Sequence, residues 1–151
     1  LLFTIPGIPS IYYGSEFGIQ GEKKNNSDSE LRPYINLSDA LSRNNRCDLK
    51  EAITKLIKIR KGNAALQAGD YNQIFVKHQQ FAFSRKKDDD LILVVVNSSE
   101  KEEIINLKLD EYSNSLFTDL LSGEQINCFN GEIAGLKLYP YWGRILKKNK
   151  F

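Results

Sequence analysis

From Gly69 to the end of the chain, apolar and polar residues alternate with a period of two in short runs. Nothing else in the sequence narrows the fold as much. A period of two sends successive side chains to opposite faces of an extended strand, so each run can bury one face and wet the other. The runs predict strands over 71–77, 81–86, 91–97, 104–109, 115–119, 124–128, 133–138 and 141–146. Turn signals at 87–90, 97–100, Ser122-Gly123 and Asn130-Gly131 separate most of them. Asn-Gly is a favoured dipeptide for a two-residue hairpin. Short strands at this spacing predict an antiparallel sandwich or barrel. A chain of 151 residues can bury about 70% of its unfolded surface, enough for one core.

The first 68 residues read differently. Leu1–Gly21 is apolar and punctuated by Pro6, Gly7, Pro9, Gly14, Gly18 and Gly21. Residues 22–46 are polar and loop-like, with turn clusters at 25–29 and 44–45. A helix is expected over about 48–62. Asp48 can cap it, with Glu51 three residues on. Leu49, Ala52, Ile53, Leu56 and Ile57 then share one face. Lys58, Arg60 and Lys61 suit the negative end of the helix dipole, and Gly62 can stop it.

Several function classes fall away. A formal net charge of +2 gives no electrostatic footprint for nucleic acid. The longest apolar run, Leu91–Val96, is too short to cross a bilayer. Cys47 and Cys128 are too few for a disulfide scaffold and are expected as free thiols. With His78 the only histidine, Cys/His supply is thin for zinc, and His78 reads as an ordinary strand residue. Asp88-Asp89-Asp90 reads as a hairpin tip rather than a calcium site, which needs six or more oxygens. Neither metal nor cofactor is expected. The glycines at 14, 18 and 21 lack phosphate-loop spacing. Tyr139, Tyr141 and Trp142 can form a sugar-stacking platform, although core packing is expected. The chain contains no methionine, so Leu1 is expected to lie inside a longer polypeptide.

The stretch Pro6-Gly7-Ile8-Pro9-Ser10-Ile11-Tyr12-Tyr13-Gly14-Ser15-Glu16-Phe17-Gly18-Ile19-Gln20-Gly21 resembles the last barrel strand of the α-amylase superfamily of glycoside hydrolases. Asp28 to Leu31-Arg32-Pro33 is similar to the loop after that strand in cyclomaltodextrinase- and neopullulanase-like members. Residues 56–66 resemble the last barrel helix. Gly69-Asp70-Tyr71, Phe81-Ala82-Phe83-Ser84-Arg85, Val94-Val95-Val96-Asn97 and residues 118–123 resemble the C-terminal β-sandwich. The likeness runs in order through the whole chain.

The resemblance implies an α+β piece: mainly an antiparallel β-sandwich over 69–151, preceded over 1–68 by the end of a (β/α)8 barrel. The barrel part would hold the last strand at about 10–13, a subsite loop at 14–47 and the last helix at about 48–62. It implies a parent that cleaves α-1,4 bonds of maltodextrins or starch with retention, by a carboxylate nucleophile and a general acid about 5 Å apart. The family's Gly-Phe-Arg-x-Asp and His-Asp motifs do not occur here. The catalytic residues are therefore expected upstream of Leu1, and the chain alone is expected to be inactive. Arg32 matches a position where relatives hold sugar hydroxyls, and a guanidinium fork suits vicinal hydroxyls. Asp28 can accept from the same sugar and orient Arg32. Tyr13 can stack or support the cleft wall, and Glu16 is expected to support the site from behind. Expected partners are an α-glucan and the rest of the barrel, with no nucleic acid and no membrane. An unpaired barrel strand and an exposed helix face also raise a homodimer. Sparse cysteines fit a cytoplasmic location. Two other readings stay open: a carbohydrate-binding or structural sandwich, and a transglycosylating parent.

Overall fold

The computed structural model describes residues 1–24, 27–38, 47–109 and 111–150, with Cys47 described by its backbone alone. The turn cluster expected at 44–45 and part of that at 25–29 lie outside the described residues. Two compact units emerge: residues 59–151 together with 1–7, and residues 8–58.

In the first unit all eight predicted strands form. They are β1 (Asp70–Val76), β2 (Gln80–Lys87), β3 (Asp90–Asn97), β4 (Glu103–Lys108), β5 (Ser115–Asp119), β6 (Gln125–Cys128), β7 (Glu132–Leu138) and β8 (Gly143–Lys148). Every pairing is antiparallel. Six strands make one sheet in the order β1-β2-β3-β8-β5-β6, while β4 and β7 make a second. Both sheets feed one core, with Leu93, Val95, Phe117 and Leu146 from the larger and Ile105, Leu107, Ile133 and Leu138 from the smaller. The last strand begins two residues later than expected. Tyr141 takes a left-handed backbone at φ 51°, so Tyr139–Trp142 turns and pairing starts at Gly143. His78 lies in the β1–β2 turn rather than in a strand.

Strand β3 is buried from Leu91 through Val95, on both of its faces. Its continuous apolar run is what two-sided burial requires. The second cover includes a short helix the sequence reading missed, α2 (Ala64–Ala68), whose Ala65 and Leu66 are fully buried. Its cap comes from elsewhere in the fold: Ala65 N–H donates to Asp90 Oδ2 at 2.9 Å. Asp90 also pairs with Lys147 at 3.4 Å. The hairpin tip is thus Asp88-Asp89, and Asp90 is a structural residue.

Helix α1 (Cys47–Lys61) starts one residue before the expected cap, so Asp48 sits inside its first turn. There it can favour the positive end of the dipole but cannot be the N-cap. Leu49, Ile53, Leu56 and Ile57 are half-buried, and Ala52 is exposed. Arg60 departs most from expectation. It is 8% exposed and donates from Nη1 to Phe3 O at 2.9 Å and from Nη2 to Gly7 O at 2.6 Å. Arg85, 1% exposed, donates to Thr4 O at 2.8 Å and twice to Gly69 O. Burial and the neighbouring Arg60 charge lower the Arg85 pKa. Carbonyl oxygens satisfy both guanidinium groups, and segment 1–7 is tied to the sandwich unit by that means.

In the second unit, Ser10–Tyr13 forms no strand. A barrel strand exists only through hydrogen bonds to parallel neighbours, and no described segment pairs with it. The glycine turns after it are present. Gly14 and Gly18, at φ 86° and 65°, flank a 3₁₀ turn at Ser15–Phe17. Such left-handed positions are open to glycine at little steric cost.

Candidate functional site

Residues singled out at two places in the sequence meet in the 8–58 unit. Tyr13 Oη donates to Pro33 O at 3.0 Å, and Arg32 Nε donates to Tyr12 Oη at 3.2 Å. The Tyr12 and Tyr13 rings lie 5.4 Å apart and tilted by 46°. The glycine-flanked turn reverses the chain after Tyr13, and a second 3₁₀ turn at Ser29–Leu31 precedes Arg32. Arg32 is exposed. The hydrogen bond to the Tyr12 hydroxyl, and less strongly the Asp28 carboxylate, push its pKa up. Among the described residues its Nη1 and Nη2 make no hydrogen bond. It therefore presents a fixed cation with donors left over, on a wall of two tyrosine rings.

The Asp28 carboxylate pairs with Lys23 at 3.5 Å and makes no hydrogen bond to Arg32 among the described residues. Glu16 lies in the first 3₁₀ turn, half-buried, and its Oε2 is buried without a hydrogen-bond partner among the described residues. Tyr12 was not singled out as a site residue, although it stands beside Tyr13 in the same motif.

Elsewhere two buried polar groups, Asp119 and Asn97, hold the fold. Asp119, 1% exposed, accepts from Leu121 N, Ser122 Oγ and Ile145 N and pairs with Arg144 at 3.3 Å. Asn97 donates to Lys101 O and Tyr139 O and accepts from Gln80 Nε2 and Ser99 N. Neither was predicted. Both were findable, since they continue the inward parity of β3 and β5 with a polar residue at the strand end. The expectation that Tyr139, Tyr141 and Trp142 pack in the core is corrected: they are 49%, 67% and 48% exposed. The left-handed turn at Tyr141 carries them outward, and Tyr141 Oη donates to Glu100 at 3.0 Å. Cys128 is a buried free thiol that donates to Tyr112 O at 3.1 Å.

Comparison with known proteins agrees with the sequence resemblance. Residues 71–143 match the neopullulanase-like C-terminal domain family. Neopullulanase 2 of Thermoactinomyces vulgaris is 31% identical over 147 residues, 95% of this chain and 23% of that protein. The chain thus spans just under a quarter of the length of the curated relative it matches. An Anoxybacillus α-amylase structure superposes with a TM-score of 0.85 at 23% identity, over 99% of this chain and 31% of the other. AmyP, solved in complex with maltotriose, superposes with a TM-score of 0.73 at 22% identity, over 97% of this chain and 32% of the other.

Proposed function

We propose, on the premise that this chain carries a neopullulanase-like C-terminal domain, that it is the C-terminal part of a glycoside hydrolase. The parent cleaves α-1,4-glucosidic bonds of maltodextrins with retention. The carrying observation is the joining of Tyr12 and Tyr13 to Arg32 and Pro33, twenty residues away in sequence. Two motifs that the family resemblance picked out separately form one cationic, aromatic wall. Maltotriose in AmyP supports the substrate class.

In this reading residues 1–68 are the end of the barrel and 69–151 the covering sandwich. Arg32 presents its free donors to vicinal hydroxyls of a glucose unit away from the scissile bond. Tyr13 braces the loop through Pro33, Asp28 stands four residues before Arg32 at the rim, and Glu16 supports the turn from behind. The nucleophile and general acid, about 5 Å apart in retaining enzymes, come from elsewhere in the parent. Sparse cysteines fit a cytoplasmic setting.

Maltoheptaose incubated with the purified 151-residue chain should release no new reducing ends. Measurable hydrolysis would overturn the assignment of catalysis to other segments. Maltotriose binding, followed by calorimetry, should weaken about tenfold or more in Arg32→Ala, because a charge-assisted hydrogen bond is lost. Unchanged affinity would sink the rim.

Exposure of Tyr139, Tyr141 and Trp142 favours a second reading, in which the sandwich itself binds carbohydrate. Quenching of Trp142 fluorescence by maltoheptaose that survives Arg32→Ala and disappears in Tyr141→Ala would select it.

A further inference from the structure

Inward-facing positions of a sandwich strand are ordinarily apolar. On the β1–β2 side of the larger sheet this rule fails in an ordered way. Ala82 pairs with Val95 across β2 and β3, and both are core residues. Two residues further along β2, on the same face, stands Ser84, flanked by Asn72 of β1 and Leu93 of β3. Two further again stands Lys86, flanked by Asp70 and Leu91. The face therefore passes from apolar to hydroxyl and amide to charge within three cross-strand rows. The register of β1 shifts between Gln73 and Phe75, and Ile74 at that irregularity packs against the core. Such bulges re-aim side chains.

This stretch is the floor of a groove of about 430 Å³, walled by Lys108, Leu109, Glu111 and Tyr112. Binding pockets for small molecules fall in the same size range. Its charges balance, two lysines (Lys86, Lys108) against two carboxylates (Asp70, Glu111). Although Asp70 and Lys86 are cross-strand partners, they form no ion pair among the described residues. The Lys86 ammonium instead lies 5.6 Å from the Tyr112 ring centroid, with that of Lys148 at 5.2 Å. Asp70 lines the groove, and its carboxylate has no hydrogen-bond partner among the described residues.

We infer that this groove is a second binding site, on the sandwich, for a short neutral oligosaccharide. Balanced charge gives the groove no net attraction for an anion or a cation. A polar floor disfavours an apolar ligand, which would strip water from Asn72, Ser84 and Asp70 without replacing its hydrogen bonds. A sugar supplies hydroxyls that both donate and accept, matching carboxylate, ammonium, amide and hydroxyl groups together. Ile74, only partly buried against the core, offers its carbon face an apolar contact. Choosing an α-glucan among sugars rests on the proposed function above.

Titration of the ¹⁵N-labelled 151-residue chain with maltotriose tests the site. Saturable amide shifts should appear at Asn72, Ser84, Lys86 and Tyr112. Asn72→Ala on the edge strand, and independently Lys86→Met, should each weaken binding about fivefold with the unfolding temperature unchanged. Shifts confined to Tyr12, Tyr13 and Arg32 would overturn the groove and leave the rim standing. Shifts confined to Tyr139–Trp142 would also overturn it, in favour of the exposed turn. An absence of shifts anywhere would overturn groove and rim together. Equal affinity for cellotriose would keep the groove as a sugar site and overturn its assignment to α-glucans.

Discussion

Asp119 shows how a single side chain can hold this fold. With 1% of its surface exposed, it accepts three hydrogen bonds and meets the Arg144 guanidinium. Arg144 in turn reaches Glu124 and Lys137 O, so one carboxylate links β5, the turn after it and β8. Breaking a buried ion pair from one side leaves the other charge stranded, which costs about 3–5 kcal/mol. Asp119→Ala should lower the unfolding free energy by that much in urea denaturation, while Glu124→Ala, at a half-exposed carboxylate, should cost far less. Cys128 makes a prediction of the opposite chemical kind. Burial pushes its thiol pKa up, against a smaller downward pull from the Gly131 and Ser115 backbone. A folded-state value above the unfolded one means the fold favours the protonated thiol. Its contribution is whole below the ordinary thiol value of about 8.5 and is lost as pH rises toward the folded value. The urea midpoint should therefore fall more steeply with pH above about 8.5 in the native chain than in Cys128→Ala. Equal slopes would remove Cys128 from the pH dependence.

At the scale of elements, the Asn130-Gly131 turn is the most instructive. Asn130 at φ 48° and Gly131 at φ 75° give the two left-handed positions of a tight hairpin turn. Phe129 and Glu132 exchange backbone hydrogen bonds across it at 2.9 and 2.8 Å. The dipeptide thus made the turn it predicts. The strands on either side nevertheless part company: β6 joins the six-stranded sheet and β7 pairs with β4 in the other. Gly131→Val forces a branched side chain into the left-handed region and should cost about 1–2 kcal/mol, read as a fall in unfolding temperature. Gly131→Asn, tolerated there, should cost less. An unchanged unfolding temperature in the valine variant would mean the turn does not need its handedness. Helix α1 carries a related lesson. Its apolar stripe was legible from spacing, but Arg60, read as a dipole partner, is instead buried against the carbonyls of segment 1–7. Spacing alone does not say which cation at a helix end stays wet.

For the molecule as a whole, the exposed apolar residues of the first forty positions stand out. Ile8 is 97% exposed, Tyr34 92%, Leu1 61% and Leu37 59%. Surfaces of this kind favour association. Light scattering should show a mass that rises with concentration, and Ile8→Ser combined with Tyr34→Ser should reduce the rise. A constant monomer mass at all concentrations would remove self-association. No helix among the described residues is long and apolar enough to cross a membrane. The likeness to the α-amylase superfamily, read from ordered motifs, agrees with the relatives found. Short-range chemistry in the sequence determined the eight strands, the helix over 47–61 and the glycine turns, because a period of two, a period of 3.6 and a positive φ each act within a few residues. Tertiary structure alone decided that Asp90 caps α2 and that Arg60 and Arg85 meet the carbonyls of segment 1–7. It decided, too, which strands share a sheet. Those outcomes depend on which distant groups arrive within hydrogen-bonding reach, a competition over the folded surface that no local pattern encodes.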